Sequence, residues 1–351
     1  MRHPIARSLA ALLILLASAT APAPASYDSA HAAAMAGARL SEPAAAALER
    51  KLEQAPDDLE TRTVLLGYYF RSSYDSPEKA AARRRHVLWV IRHHPDAEIA
   101  GLPYAELDPF RDDDGYRAAA ALWKEQIEAQ GRNVQVLTNA ARFFGLRDES
   151  LAADLFERAA KLDPSNSMWP GELGHLHSRS LIGLDDADER RAAASRALAQ
   201  FERALALATS EERSLYLADA ADVALVSGAI DKARRLAQDL LATAVPDRWD
   251  HGNAIHHGNT VLGRIALREG DVAAARRHLL ASAAEGSPQL DSFGPDMDLA
   301  KELLEKGERQ AVLAYFDLCA KFWEMGQERL ADWKALVAAG RTPDFGPSLS
   351  Y

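Results

Sequence analysis

Residues 133–164 read NVQVLTNAARFFGLRDESLAADLFERAAKLDP. Val136, Ala140 and Phe143 recur at helical spacing, and Ala152, Phe156 and Ala159 do so again after a turn at Asp148. That spacing predicts two short amphipathic helices, the second stopping before Pro164. Small residues stand where the two backbones must approach, and an aromatic fills the gap between them.

The same layout recurs along the chain. Upstream, Leu66, Gly67 and Phe70 are followed by Ala82, His86 and Trp89. Downstream, Leu173, Gly174 and His177 precede Ala197, Phe201 and Ala204, with SLIGLDDADERR inserted between them. A further pair, Ser214 to Pro246, carries Leu217, Ala221 and Ala224, then Gly228, Ala233, Ala237 and Leu240. Another, from His256, carries Leu262, Gly263 and Ala266, then Gly270-Asp271, Ala275 and Leu279. The last pair, Leu299 to Leu304 and Arg309 to Phe322, is degenerate, as an end that must cap a stack is expected to be.

This recurrence resembles the tetratricopeptide (TPR) repeat, a helix pair with a period of about 34 residues. The resemblance implies an all-α fold, a TPR-like α-α solenoid of antiparallel helix pairs. It also implies a concave groove lined by the first helix of each pair. In that register the groove residues are Tyr68 and Arg71, then Leu137, Ala141 and Phe144, then Met168, His175 and Arg179, then Asp222, and finally His257, Thr260, Arg264 and Arg268. The carboxylate-clamp members of the family use a Lys/Asn set that is missing here, so chaperone-tail recognition is not carried over.

The N-terminus has a different character. Arg2 and Arg7 precede the apolar run LAALLILLA (residues 9–17), followed by small residues, Pro22 and Pro24. This order predicts a secretory signal peptide over residues 1–25, cleaved after Ala19 or Ala25. The run is shorter than the roughly 20 apolar residues of a membrane span. The expected setting is therefore periplasmic or secreted, with no stable membrane span in the mature form. Residues 26–41 (SYDSAHAAAMAGARLS) are small and weakly patterned and read as a linker. Residues 42–132 then form an N-terminal helical unit containing a loop at 96–115. Residues 133–285 hold the repeats, and 286–351 a Gly/Pro-rich loop, a capping helix pair and a tail.

Composition limits the chemistry. The net charge is -10, and -12 once the two leader arginines are removed. An acidic chain argues against a general nucleic-acid partner, which needs a basic footprint. The single cysteine, Cys319, forms no intramolecular disulfide and reads as a small apolar residue. The acidic triplet Asp112-Asp113-Asp114 lacks calcium-loop spacing and reads as charge at a helix N-terminus. Nucleophile-elbow, zinc-helix and phosphate-loop motifs are missing, so no cofactor is expected and an enzyme is the less favoured reading.

The candidate binding residues are His175, Arg179, Asp222, His257, Arg264, Arg268 and Phe293. His and Arg at one end of a groove suit a protein or peptide partner of acidic character, since arginines fork onto carboxylates. Against this stands a structural role, with Arg264 and Arg268 pairing to acidic neighbours on the next repeat. The alternative function is a secreted His-dependent enzyme or metal-binding protein using His175, His256 or His257. A third is an envelope polymer stacked on Trp169 and Trp249. Phe293-Gly294-Pro295 recurs as Phe345-Gly346-Pro347, so both segments read as loops carrying an aromatic. Each Phe either plugs the apolar end of the last helices or, in the 286–297 loop, closes over the groove as a lid.

Overall fold

The computed structural model describes residues 27–349 except residue 247, so the expected signal peptide lies outside the described residues. Every regular element among the described residues is helical. None of these helices is long and apolar enough to cross a membrane. The described residues divide into two compact units, one ending at Gln126 and the other beginning at Ile127.

The first unit contains α1 (Tyr27–Gly37), α2 (Glu42–Gln54), α3 (Leu59–Ser72), α4 (Pro77–His93) and most of α5 (Asp113–Ala129). Local chemistry sets its boundaries. The Asp58 carboxylate accepts the Thr61 amide at 2.9 Å to start α3, and Ser76 accepts the Lys79 amide ahead of Pro77 to start α4. Helix α1 corrects the expected linker at 26–41. It packs on α3 so closely that a side chain on Gly67 would strike the Ala34 carbonyl, and one on Gly37 the Val64 carbonyl. An interface of Ala and Gly leaves no hydrophobic stripe for periodicity to detect, which is why the segment looks unpatterned. The 96–115 stretch is likewise ordered, with short 3-10 turns at Glu98–Gly101 and Pro103–Ala105. Buried Arg83 ties it down by donating to the carbonyls of Pro103, Tyr104 and Glu106. Asp112 accepts the Gly115 amide at 2.9 Å, the N-terminal role expected of the triplet.

The junction of α2, α3 and α4 is polar and closed. Tyr69 donates to Glu49 at 2.6 Å, the His86 Nε2–H donates to the same oxygen at 2.9 Å, and Arg62 donates to His86 Nδ1 at 3.1 Å. Arginine has no acceptor, so this geometry assigns the tautomer. Burial alone would raise the Glu49 pKa, but the bonds from His86 and Tyr69 outweigh it and hold the carboxyl at about 2.

Among its described residues the second unit contains five helix pairs. They are α6 (Val134–Phe144) with α7 (Glu149–Leu162), α8 (Met168–Arg179) with α9 (Ala187–Leu207), and α10 (Ser214–Ser227) with α11 (Ile230–Ala242). The fourth is α12 (His251–Arg268) with α13 (Val272–Ser282). The short α14 (Pro288–Phe293) leads to the fifth, α15 (Asp298–Glu305) with α16 (Arg309–Cys319), and α17 (Gln327–Ala338) covers the end. Asn133, Asp148, Asp186 and Asp271 cap their helices by accepting backbone amides. Gly228 and Gly270 turn α10 and α12 into their partners at φ 85° and 83°, a region that only glycine occupies without strain. The SLIGLDDADERR insertion becomes a longer turn plus added helix, because α9 runs for 21 residues.

The core follows the quoted pattern. Val136, Ala140, Phe156 and Ala159 are buried between α6 and α7, and Phe201 fills the corresponding place in the next pair. First helices of successive pairs also touch, α8 against α10, α10 against α12 and α12 against α15. At the C-terminal end Phe345 is buried against Trp333, with ring centroids 4.9 Å apart, and packs on Phe316. It is a plug, not an exposed loop aromatic. Cys319 is buried in the same cluster, where burial pushes its thiol up to about 12.

Candidate functional site

The first helices of the second unit share one face that is open to water. On α8 it carries Met168, Glu172, His175 and Arg179, and on α10 Leu215, Asp219, Asp222 and Val226. Each set is spaced by three and four residues, one side of a helix. On α12 the matching set is His257, Arg264 and Arg268, and on α15 it is Asp298 and Glu302. Cross-helix contacts show that these sets meet. Arg142 of α6 donates to Glu172 at 2.6 Å, and His175 Nδ1 lies 3.6 Å from Asp219. Arg264 reaches Asp222 at 3.4 Å, Asp298 at 3.0 Å and Glu302 at 2.9 Å.

Arg264 is the hub. Its side chain is only 13% exposed. Burial alone would lower its pKa, but the carboxylates of Asp298, Asp222 and Glu302 outweigh that and keep the guanidinium charged. Asp222 is crowded by protein atoms, yet 49% of its side-chain surface remains open to water, as happens on a concave surface. That crowding raises its pKa, Arg264 opposes the rise, and Asp298 and Asp219 add to it. His257 is pushed down by its crowded position, partly offset by the Asp219 carboxylate.

Several expectations are corrected by this geometry. Arg264 is committed to three carboxylates, and Arg268 donates to the Leu225 carbonyl at 2.6 Å near the C-terminal end of α10, where a cation complements the helix dipole. Neither is a spare fork for an acidic peptide. Asp222, Asp298 and Glu302 share the guanidinium of Arg264 and Asp219 stands beside His175, so four carboxylates face the two guanidiniums of Arg264 and Arg268 at the centre of the face, which is therefore acidic. Arg142 is matched by Glu172, and Arg179 stands exposed in the last turn of α8. Leu137, Ala141 and Phe144 are buried, as are Tyr68 and Thr260, so they line no groove, while Arg71 is exposed on α3.

The histidines separate by face. His175 turns toward Asp219, whereas His177 turns toward Glu149 on α7 at 3.5 Å. His256 is fully buried and its neighbour His257 lies on the face. Among the described residues no three His, Cys, Asp or Glu side chains are arranged to hold a metal ion. Trp169 is buried, so it cannot form a stacking platform with exposed Trp249. Phe293 is 65% exposed at the end of α14. Its segment leans on the turn after α16, where Asp291 accepts the Glu324 amide at 2.8 Å and Gly294 packs on the Trp323 indole.

Residues missed by sequence reasoning are Glu172, Asp219, Asp298 and Glu302. Glu172 and Asp219 stand three positions before His175 and Asp222, a spacing that places them on the same face. That signal was present. Nothing in the sequence announced that Asp298 and Glu302 close on Arg264, because α15 is eight residues long and starts only after an irregular segment.

No protein-family model matches the chain, and no curated protein matches it. Among solved structures it is similar to human IFIT1, a dimer with PPP-AAAA. The identity is 17% and the TM-score 0.46, over 85% of this chain and 68% of that one.

Proposed function

We propose that this chain is an exported TPR-like scaffold that holds a protein or peptide partner along the water-open face of α8, α10, α12 and α15, and that the docked segment is basic. One observation carries the reading: consecutive first helices present polar side chains at three-and-four spacing, and at their centre four carboxylates outnumber the guanidiniums of Arg264 and Arg268. Charge complementarity selects partners and speeds encounter, so a Lys- or Arg-bearing segment is the favoured guest. The same charge disfavours a nucleic acid, whose phosphates call for cations. Export rests on the basic, apolar and small-residue order of residues 1–25.

The test uses short fluorescent peptides, one Lys-rich and one Glu-rich, titrated with the full chain. The Lys-rich peptide should bind, weaken as salt rises, and bind the double variant Asp219→Asn, Asp222→Asn about tenfold more weakly or worse at unchanged helicity. Equal binding of the Glu-rich peptide would overturn the reading. So would a double variant that binds like the parent.

A further inference from the structure

Among the described residues, His256 is the one histidine whose two ring nitrogens are both spent on backbone groups. It sits in the first half of α12 with no surface open to water. Nε2 accepts the backbone N–H of Asp296 at 2.9 Å. An atom that accepts an N–H carries no proton, so the ring's hydrogen is on Nδ1, which donates to the Ser282 carbonyl at 3.1 Å. One ring thereby joins α12 to the end of α13 on one side and to residues 286–297 on the other. We infer that His256 is an acid-sensitive latch: its neutral Nδ1–H ring holds residues 286–297 against α12, and taking up a proton at Nε2 releases them.

The chemistry is a single proton transfer. A proton on Nε2 occupies the lone pair that accepted the Asp296 amide. Two donors then face each other and the bond is lost, while a positive charge is left without water. Burial and the neighbouring His257 push the ring down to about 3, with the Ser282 bond opposing them. The sign follows from linkage. The released ring, with an ordinary pKa of about 6.5, binds a proton that the latched ring refuses. Latching is therefore complete above about pH 6.5 and is lost progressively as the pH falls toward 3.

The surroundings contain other titrating groups. On α12 itself His257 lies with its ring centroid 5.2 Å away and faces Asp219 of α10. From α13 comes His278, bonded to Asn259 at 2.9 Å. The 286–297 segment contributes Asp291 and Asp296, and α15 contributes Asp298, whose amide donates to the Asp296 carboxylate at 2.6 Å. Farther along α12 stands Arg264, and from α16 Tyr315 donates to the Asp296 carbonyl at 3.1 Å beside buried Cys319. Burial and Asp298 raise the Asp296 carboxyl while Arg264 opposes them, so Asp296 is the group most able to mimic the effect.

What the latch controls is visible in the fold. The Met297 amide donates to the Ser348 carbonyl at 2.8 Å, and Asp298 begins the helix that meets Arg264. Release of residues 286–297 thus loosens both the C-terminal tail and the α15 end of the acidic face. The inference concerns the segment itself and holds whether or not that face binds a peptide.

Amide hydrogen exchange of the full chain between pH 7 and 4, corrected for intrinsic rates, is the test. Protection of Asp296 and its segment should fall on the order of a hundredfold beyond the change in the α6–α7 pair. The double variant Asp291→Asn, Asp296→Asn removes the competing carboxylates and should respond as the parent does. His256→Phe should leave the segment poorly protected at both pH values. Nitrogen NMR of the imidazole should show the Nδ1–H tautomer at pH 7, a readout that does not depend on any variant folding. The inference is overturned by the Nε2–H tautomer, by protection that persists to pH 4, by loss of the acid response in the Asn variant, or by simultaneous exposure of the whole second unit.

Discussion

Between α6 and α7 the chain buries Val136, Ala140, Phe156 and Ala159, whereas between α12 and α15 it places a guanidinium among carboxylates. The two regions belong to the same unit, but the first lies inside one helix pair and the second between the first helices of successive pairs. In the first, contact is apolar and each side chain has one role, to fill space. In the second, Arg264 must satisfy Asp222, Asp298 and Glu302 together, and Asp222 stays half open to water. The difference teaches that repeat identity is carried inside a pair and chemistry between pairs. The filled core inside a pair announces the architecture, and the seam between first helices of successive pairs, open to water, carries the charge.

The sharpest way to break the comparison is to empty the apolar pair. Phe156→Ala should cost about 3–5 kcal/mol in chemical denaturation, because Phe156 is buried and its neighbours are helix backbones that cannot collapse into the gap. Binding of the Lys-rich peptide by the remaining folded protein should be unchanged. A loss under about 1 kcal/mol would mean the α6–α7 core is not what holds that pair together.

Next comes the polar junction. Arg264→Met should cost about 2–3 kcal/mol, below the figure for a fully buried pair because Asp222 and Glu302 retain water. The pH dependence distinguishes this loss from lost packing. Without the guanidinium the clustered carboxylates hold protons more tightly in the folded state than in the unfolded one. The variant should therefore regain stability relative to the parent as the pH falls from 7 to 4. A deficit independent of pH would reduce Arg264 to a space-filling side chain.

The smallest effect belongs to the turn that first revealed the repeat. Asp148 accepts the Leu151 amide at 3.0 Å, and Asp148→Ala should cost about 1 kcal/mol in thermal or chemical unfolding. It should leave both the peptide titration and the acid response of residues 286–297 untouched.

How much of this was legible beforehand depends on the kind of interaction. The α6–α7 pair could be read from spacing, since burial imposes a period of 3.6 on apolar residues and Asp148 marks the start of the second helix. Helix α1 could not, because Ala and Gly at a close backbone contact leave no stripe. His175, Asp222, His257, Arg264 and Arg268 lie on first helices, and the structure brings all five onto one face. Their electrostatic character was not legible. Arg264 viewed along α12 alone is a free cation, and only the approach of α10 and α15 converts it into the counterion of three carboxylates.

The two Phe-Gly-Pro segments make the same point. Identical local residues give an exposed Phe293 and a buried Phe345, because one follows a surface helix and the other enters the gap beside Trp333. By itself the sequence determined that this chain is helical, where its pairs begin and turn, and which residues fill them, since those follow from periodicity, capping and left-handed glycines. Only the tertiary structure decided which charges neutralise one another and that His256 closes on Asp296, because both depend on segments separated by about forty residues meeting in space.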